Sequence, residues 1–231
     1  LVNSGTTALT GLVLTDNLGA YTFNEASLFP LQYVANSLKY YVNGVLQTSP
    51  VIASQEPLQI EGISIPAQGN AVVIYQAALT QFAPSATNST ITNQAVISGT
   101  GISSITVEET ISALAEPILN ITKSISPVPV TENGALTYTF VIENRGNVPA
   151  DPVDLIVITD QFNPILSDLT VTFNGTAWAE GTQYTYDQTT GLFTTKAGEI
   201  TVPAATFTQN ADTGAWSVIP GTSTLVITGT V

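Results

Sequence analysis

Lys123 is the residue whose position most needs a chemical answer. In the run 118–125, Leu119, Ile121, Lys123 and Ile125 share one parity, while Asn120, Thr122 and Ser124 share the other. A period of two predicts a half-buried β-strand. The ammonium then lies on an otherwise apolar face, where a charge is costly unless something answers it. Three more polar groups share that predicament. Asp160 has the parity of Ile156 and Ile158, Asp16 that of Leu12 and Leu14, and Asn93 that of Ile91, Ala95 and Ile97. Two readings of Lys123 stay open. Its stem can line the sheet while the ammonium snorkels to water. Alternatively it is buried, where desolvation moves a lysine pKa down and a carboxyl pKa up by as much as ~3–5 units, giving a neutral amine and a proton donor.

The elements that must position these groups are short strands punctuated by Gly, Pro, Asn and Asp. After 118–125, Pro127 and Pro129 stop ladder pairing and residues 132–134 (Glu-Asn-Gly) turn the chain. Residues 136–143 form a second strand, 144–147 a turn, and 153–160 a third strand, apolar on both parities. The first half repeats this layout. Val2-Asn3-Ser4-Gly5 aligns with Glu143-Asn144-Arg145-Gly146, and 12–16 (LVLTD) with 156–160 (IVITD). Asn43-Gly44 aligns with Asn174-Gly175, an Asn-Gly turn in each copy, and Ile65-Pro66 with Ile219-Pro220. A period near 140 residues makes an array of whole domains. The expected fold is all-β: two tandem Ig-like antiparallel β-sandwiches, 1–116 and 117–231, each incomplete at one end. The first lacks its opening strands and the second its closing ones. The second also carries an inserted hairpin near 204–218. A helical turn is expected around 25–28. The chain opens in mid-motif at Leu1, so it reads as a portion of something longer.

The run I-T-K-S, followed by G-x-L-T-Y-T-F-x-I-x-N-x-G-N and a strand closing in I-T-D, resembles the conserved-repeat modules of bacterial and archaeal surface proteins. These are similar to the isopeptide-forming modules of fimbrial and collagen-binding adhesins. The resemblance covers most of 117–231, with a partial copy over 1–112. It implies a lysine on the opening strand, here Lys123, attacking an asparagine carboxamide on a late strand, here Asn93, assisted by an aspartate on the T-D strand, here Asp160 or Asp16. Each copy holds only part of that set, so no intradomain bond is expected to close within these residues.

Composition excludes much else. Seventeen acidic residues against four basic ones give a net charge of −13, which argues against nucleic acid and anionic membrane surfaces. There is no Cys and no His, so disulfides, the common zinc sites and Ser-His or Cys-His catalysis are excluded. No apolar run reaches transmembrane length, so no membrane insertion is expected. Asp151 and Asp154 are read as solvated turn acids and no metal or other cofactor is expected. Glu108 and Glu109 are strand neighbours on opposite faces and cannot flank one bond. Tyr40, Tyr41, Trp178, Tyr184, Tyr186 and Trp216 could stack on sugars, but core packing is the commoner use. Asn88, Asn120 and Asn174 open glycosylation sequons. The expectation is a non-enzymatic structural module of an extracellular surface protein, pilus or filament shaft, with head-to-tail polymerisation as one way to cover its open ends. Its partners would be copies of itself or flanking repeats of the same parent. The alternative is an adhesin domain that binds glycan or host protein through its loops.

Overall fold

The computed structural model describes all residues, Leu1–Val231. Antiparallel strands dominate it; there is no α-helix, only the 3-10 turn Pro152–Asp154. No helix is long and apolar enough to cross a membrane. The chain divides into two units, Leu1–Ala113 with Thr208–Ser217, and Leu114–Phe207 with Val218–Val231.

In the first unit a five-stranded sheet runs in the order Ile105–Ser112, Thr90–Ser98, Leu9–Asp16, Leu58–Ile65, Val51–Gln55. A four-stranded sheet has the order Val2–Asn3, Gly69–Ile74, Lys39–Val42, Val45–Gln47. Their inward residues, among them Leu12, Leu58 and Ile60 from one and Tyr40 and Ala71 from the other, form one core. In the second unit the five-stranded sheet is Leu119–Ser126, Ala135–Asn144, Gly221–Thr230, Ser167–Phe173, Thr176–Trp178. Against it lie three strands, Thr159–Gln161, Leu192–Thr195 and Tyr184–Asp187. The core here is aromatic: Phe162 stacks on Tyr138 at 4.5 Å between ring centres and lies 5.8 Å from Phe193 and 5.9 Å from Tyr186.

Two devices recur in both units at the positions the repeat predicts. Asn43-Gly44 and Asn174-Gly175 both adopt left-handed backbone, with φ of 48° and 79° in one and 49° and 79° in the other. That is the type I′ geometry which matches strand twist. Each Asn then accepts from the adjoining strand, Asn43 Oδ1 from the Asn70 N–H and Asn174 Oδ1 from the Thr224 N–H. Asn3 and Asn144, both buried, tie the turn that follows: the Gly5 N–H donates to Asn3 Oδ1 and the Gly146 N–H to Asn144 Oδ1. The Asn144 carboxamide also accepts from the Ile118 N–H and donates to the Val148 carbonyl.

Local expectations fail where a turn or a missing neighbour overrides propensity. Residues 25–28 are not helical. Tyr21–Phe23 and Ala26–Leu28 form a hairpin whose Asn24 and Glu25 both have positive φ, as a two-residue hairpin turn requires. The strand expected over 153–160 shrinks to Thr159–Gln161. Pro152 opens the 3-10 turn, the Asp151 N–H donates to Asp154 Oδ2, and Leu155 is left-handed at its end. The counterpart Leu9–Asp16 stays extended because Thr90–Ser98 and Leu58–Ile65 pair with it on both sides. The inserted hairpin is Thr206–Gln209 with Trp216–Ile219. Its tip, Thr208–Ser217, belongs to the first unit, held by Asn24 Nδ2 donating to the Ala211 carbonyl and the Trp216 N–H to the Gln81 carbonyl. At Gly214, where φ is 73°, an added Cβ would be strained and would lie 2.3 Å from Leu28 Cδ1 and 2.9 Å from Phe23 Cδ1, so both side chains would have to move aside for a larger residue.

Asn144→Ala removes three hydrogen bonds around a fully buried side chain. We expect it to destabilise the second unit by about 2–4 kcal/mol, read as a lowered urea midpoint. Asn88→Ala, at an exposed turn residue whose φ is 64°, loses only the preference of Asn for left-handed backbone and should cost about 1 kcal/mol.

Candidate functional site

Lys123 and Asp160 meet. Lys123 is carried on the edge strand Leu119–Ser126, opposite Phe140 in register, and Asp160 on Thr159–Gln161, opposite Phe193. Their inward parity brings Lys123 Nζ into an ion pair with Asp160 Oδ2, the side chains being 38% and 17% exposed. The other carboxylate oxygen accepts from the Gln161 N–H at 3.0 Å. Oδ2 is buried, and the ammonium is what answers it. Three rings surround the cation, with centres 4.5 Å (Tyr138), 5.6 Å (Phe140) and 5.9 Å (Phe162) from Nζ. A ring face attracts an ammonium through its quadrupole, so the apolar wall helps to hold the charge it would otherwise exclude. Burial pushes the Tyr138 hydroxyl above its ordinary pKa, with the Asp160 charge and then Tyr186 adding to the rise.

Asp16 and Asn93 also meet, and here no cation is present. Asp16 is 2% exposed. Its Oδ1 accepts from the Leu18 N–H at 2.7 Å. Its Oδ2 accepts from Asn93 Nδ2 at 3.0 Å and from the Tyr75 hydroxyl. Hydrogen-bond donors thus do for Asp16 what Lys123 does for Asp160. Asn93 Oδ1 is buried and accepts nothing, an orphaned acceptor whose desolvation is uncompensated. The Tyr75 hydroxyl is driven well above its ordinary pKa, first by burial, then by its hydrogen bond to Asp16 and the charge of that carboxylate.

Neither unit brings amine, carboxyl and carboxamide together. The second holds a nucleophile-bearing side chain and a carboxyl group; the first holds a carboxyl group and a carboxamide. Sequence parity placed all four residues correctly on inward faces but missed Tyr75 and the ring wall. Both left a signal: Tyr75 continues the inward parity of Ala71 and Val73, and Phe162 that of Ile158 and Asp160.

The remaining candidates scatter. No three acidic residues come close enough to share a metal ion, and the Asp154 carboxylate is taken by the backbone of Asp151. Glu108 and Glu109 do lie on opposite faces: Glu108 accepts from Gln94 Nε2 at 2.7 Å, and Glu109 pairs in register with Asn93. Tyr40, Tyr184 and Tyr186 are buried, and Trp178 stacks on Phe173, so these aromatics form no common platform. Trp216 lines a depression of about 330 Å³ with Tyr21 and Gln209. The sequon residues Asn88, Asn120 and Asn174 are exposed, although the Asn174 carboxamide is engaged with Ser223 and Thr224.

Two outcomes are expected. Lys123→Met leaves Asp160 without its cation; because the Lys123 side chain is 38% exposed, the cost is about 1–2 kcal/mol rather than that of a fully buried pair, measured by chemical denaturation at pH 7. The second concerns alkaline pH. A tyrosine whose folded pKa is raised keeps its proton in the folded state where the unfolded chain has lost it. Its contribution is therefore complete below pH 10.0 and is lost as the pH climbs through the folded value. Above pH 10 the first unit should lose about 1.4 kcal/mol per pH unit on account of Tyr75. Tyr75→Phe should flatten that slope; an unchanged slope would mean Tyr75 titrates normally.

No protein-family model, curated protein or solved structure matches the chain, so the reading of these residues rests on their own geometry.

Proposed function

We propose that the chain is a structural module of an extracellular surface protein, a pilus or filament shaft, built of tandem β-sandwiches related to the conserved-repeat and isopeptide-forming modules. One observation carries this reading. Each unit holds a complementary half of a Lys-Asp-Asn set, Lys123 with Asp160 and Asp16 with Asn93, on an apolar sheet face. In the working assembly a strand from a flanking module completes each half. Where amine and carboxamide then meet, the Lys123 ammonium hands a proton to the Asp160 carboxylate it pairs with, and the freed Nζ lone pair attacks the asparagine carboxamide carbon. The C–N bond to the side-chain nitrogen breaks, a new amide forms and ammonia leaves, its last proton supplied through the aspartic acid. The product is a permanent crosslink, so the module turns nothing over and is not an enzyme. An acidic surface that relies on Thr, Ser, Asn and Gln for polarity suits an extracellular location.

A second reading has one observation in its favour. The Trp216 indole N–H is buried without an acceptor, beside a depression lined by Tyr21 and Gln209. A ring face with an unspent indole N–H beside it is suited to a neutral glycan. A glycan array with a single clear class of hit, lost in Trp216→Ala, would favour an adhesin.

The structural reading is tested on the parent assembly. Boiling in denaturant should leave linked material whose mass falls short by one ammonia per bond, and Lys123→Arg, which keeps the charge but not the nucleophile, should remove the link at that site. Full separation at unmodified mass would leave a non-covalent stalk.

A further inference from the structure

Two edge strands carry the same pattern with opposite charge. On Ile105–Ser112 the inward parity reads Ile105, Val107, Glu109, Ile111; on Leu119–Ser126 it reads Leu119, Ile121, Lys123, Ile125. In both, the order is apolar, apolar, charged, apolar at steps of two. Register shows that each set continues a core face. Ile105, Val107 and Ile111 lie beside Ile97, Ala95 and Ile91, and Ile121, Lys123 and Ile125 lie beside Ile142, Phe140 and Tyr138. Yet neither set belongs to a core. The six apolar side chains are between 38% (Leu119) and 62% (Val107) exposed. Each strand is also the last of its sheet, so its outer backbone groups are unpaired, a feature that soluble β-proteins rarely leave unprotected.

We propose that these two faces bind each other between copies of this chain, the Leu119–Ser126 face of one against the Ile105–Ser112 face of the next. This deepens the structural reading above by naming its non-covalent partner. Two arguments select a second copy. The faces match in length, spacing and apolar content. The sole charge on one is a cation and the sole charge on the other an anion, in a chain with only four basic residues. Laid face to face in the same direction, three apolar rows coincide and Glu109 falls against Lys123; reversed, the charges lie one row apart, within reach of a lysine stem. Asp160 occupies only part of the Lys123 ammonium, which has three donors. Because the two faces differ, the contact is heterologous and does not close on itself by necessity, so it extends into chains of copies.

The test uses one substitution on each face, Val107→Asp and Ile121→Asp, both at exposed positions, with dichroism to check folding. Sedimentation of the unaltered chain should show species that grow beyond a dimer with concentration. Each variant alone should stay a monomer. Mixed, they should form a one-to-one dimer that grows no further, since each supplies the face the other lacks. Glu109→Lys should weaken growth at least about tenfold, more at low salt. An unaltered chain that is monomeric at millimolar concentration overturns the proposal. So does growth that survives either substitution, or an Ile121→Asp protein that still pairs with itself. Any of these leaves the crosslinked-module reading to its own test, the mass of the boiled parent.

Discussion

An antiparallel sheet with one apolar face has to cover that face, and this constraint governs the whole molecule. In each unit a second sheet does so for most of the surface. In the first unit Leu12, Leu58 and Ile60 are sealed, but the covering stops before the outermost strand. In the second, Tyr138 and Phe140 are sealed while Leu119 and Ile121 on the next strand are not. Buried apolar area contributes roughly 25 cal/mol per Å², so a whole strand's face left in water is a large unspent driving force for association. The two faces differ from one another, so a contact between them, as proposed, is heterologous.

The charged groups follow from the same constraint. A carboxylate on an inward face must be answered, and the two units solve this differently. Asp16 is enclosed and takes three neutral donors, from Leu18, Asn93 and Tyr75. Asp160, beside the uncovered edge, takes a lysine whose side chain stays 38% exposed. The first arrangement suits a closed core and the second a rim, since an ion pair at partial exposure avoids most of the desolvation cost of a sealed one. The rings of Tyr138, Phe140 and Phe162 lower that cost further.

Much of this was legible in the sequence because a period of two is unambiguous where one face is buried. Parity put Lys123, Asp160, Asp16 and Asn93 each on the apolar face of its own strand; that they meet as two pairs was set by the packing of distant strands. The Asn-Gly turns announced themselves in both copies. What could not be read was set by neighbours. Whether 153–160 forms a strand depends on a partner at its edge, not on Val153 or Val157, whose propensity was misleading. Residues 25–28 were decided by the left-handed turn at Asn24 and Glu25. That the hairpin tip at Gly214 belongs with Phe23 and Leu28 is a tertiary fact with no local signature. Tyr75 as the third donor to Asp16 follows from the pairing of distant strands.

The central claim is that the open faces of Ile105–Ser112 and Leu119–Ser126 are covered in the working assembly. Hydroxyl-radical footprinting of the dilute monomer and of the assembled parent measures this directly. The side chains of Ile105, Val107, Ile111, Leu119, Ile121 and Ile125, all 38–62% exposed in the single chain, should oxidise readily in the dilute monomer and become protected together in the assembly, while the buried Leu12 and Tyr138 are protected in both. Equal oxidation of both faces in the two states would contradict the account.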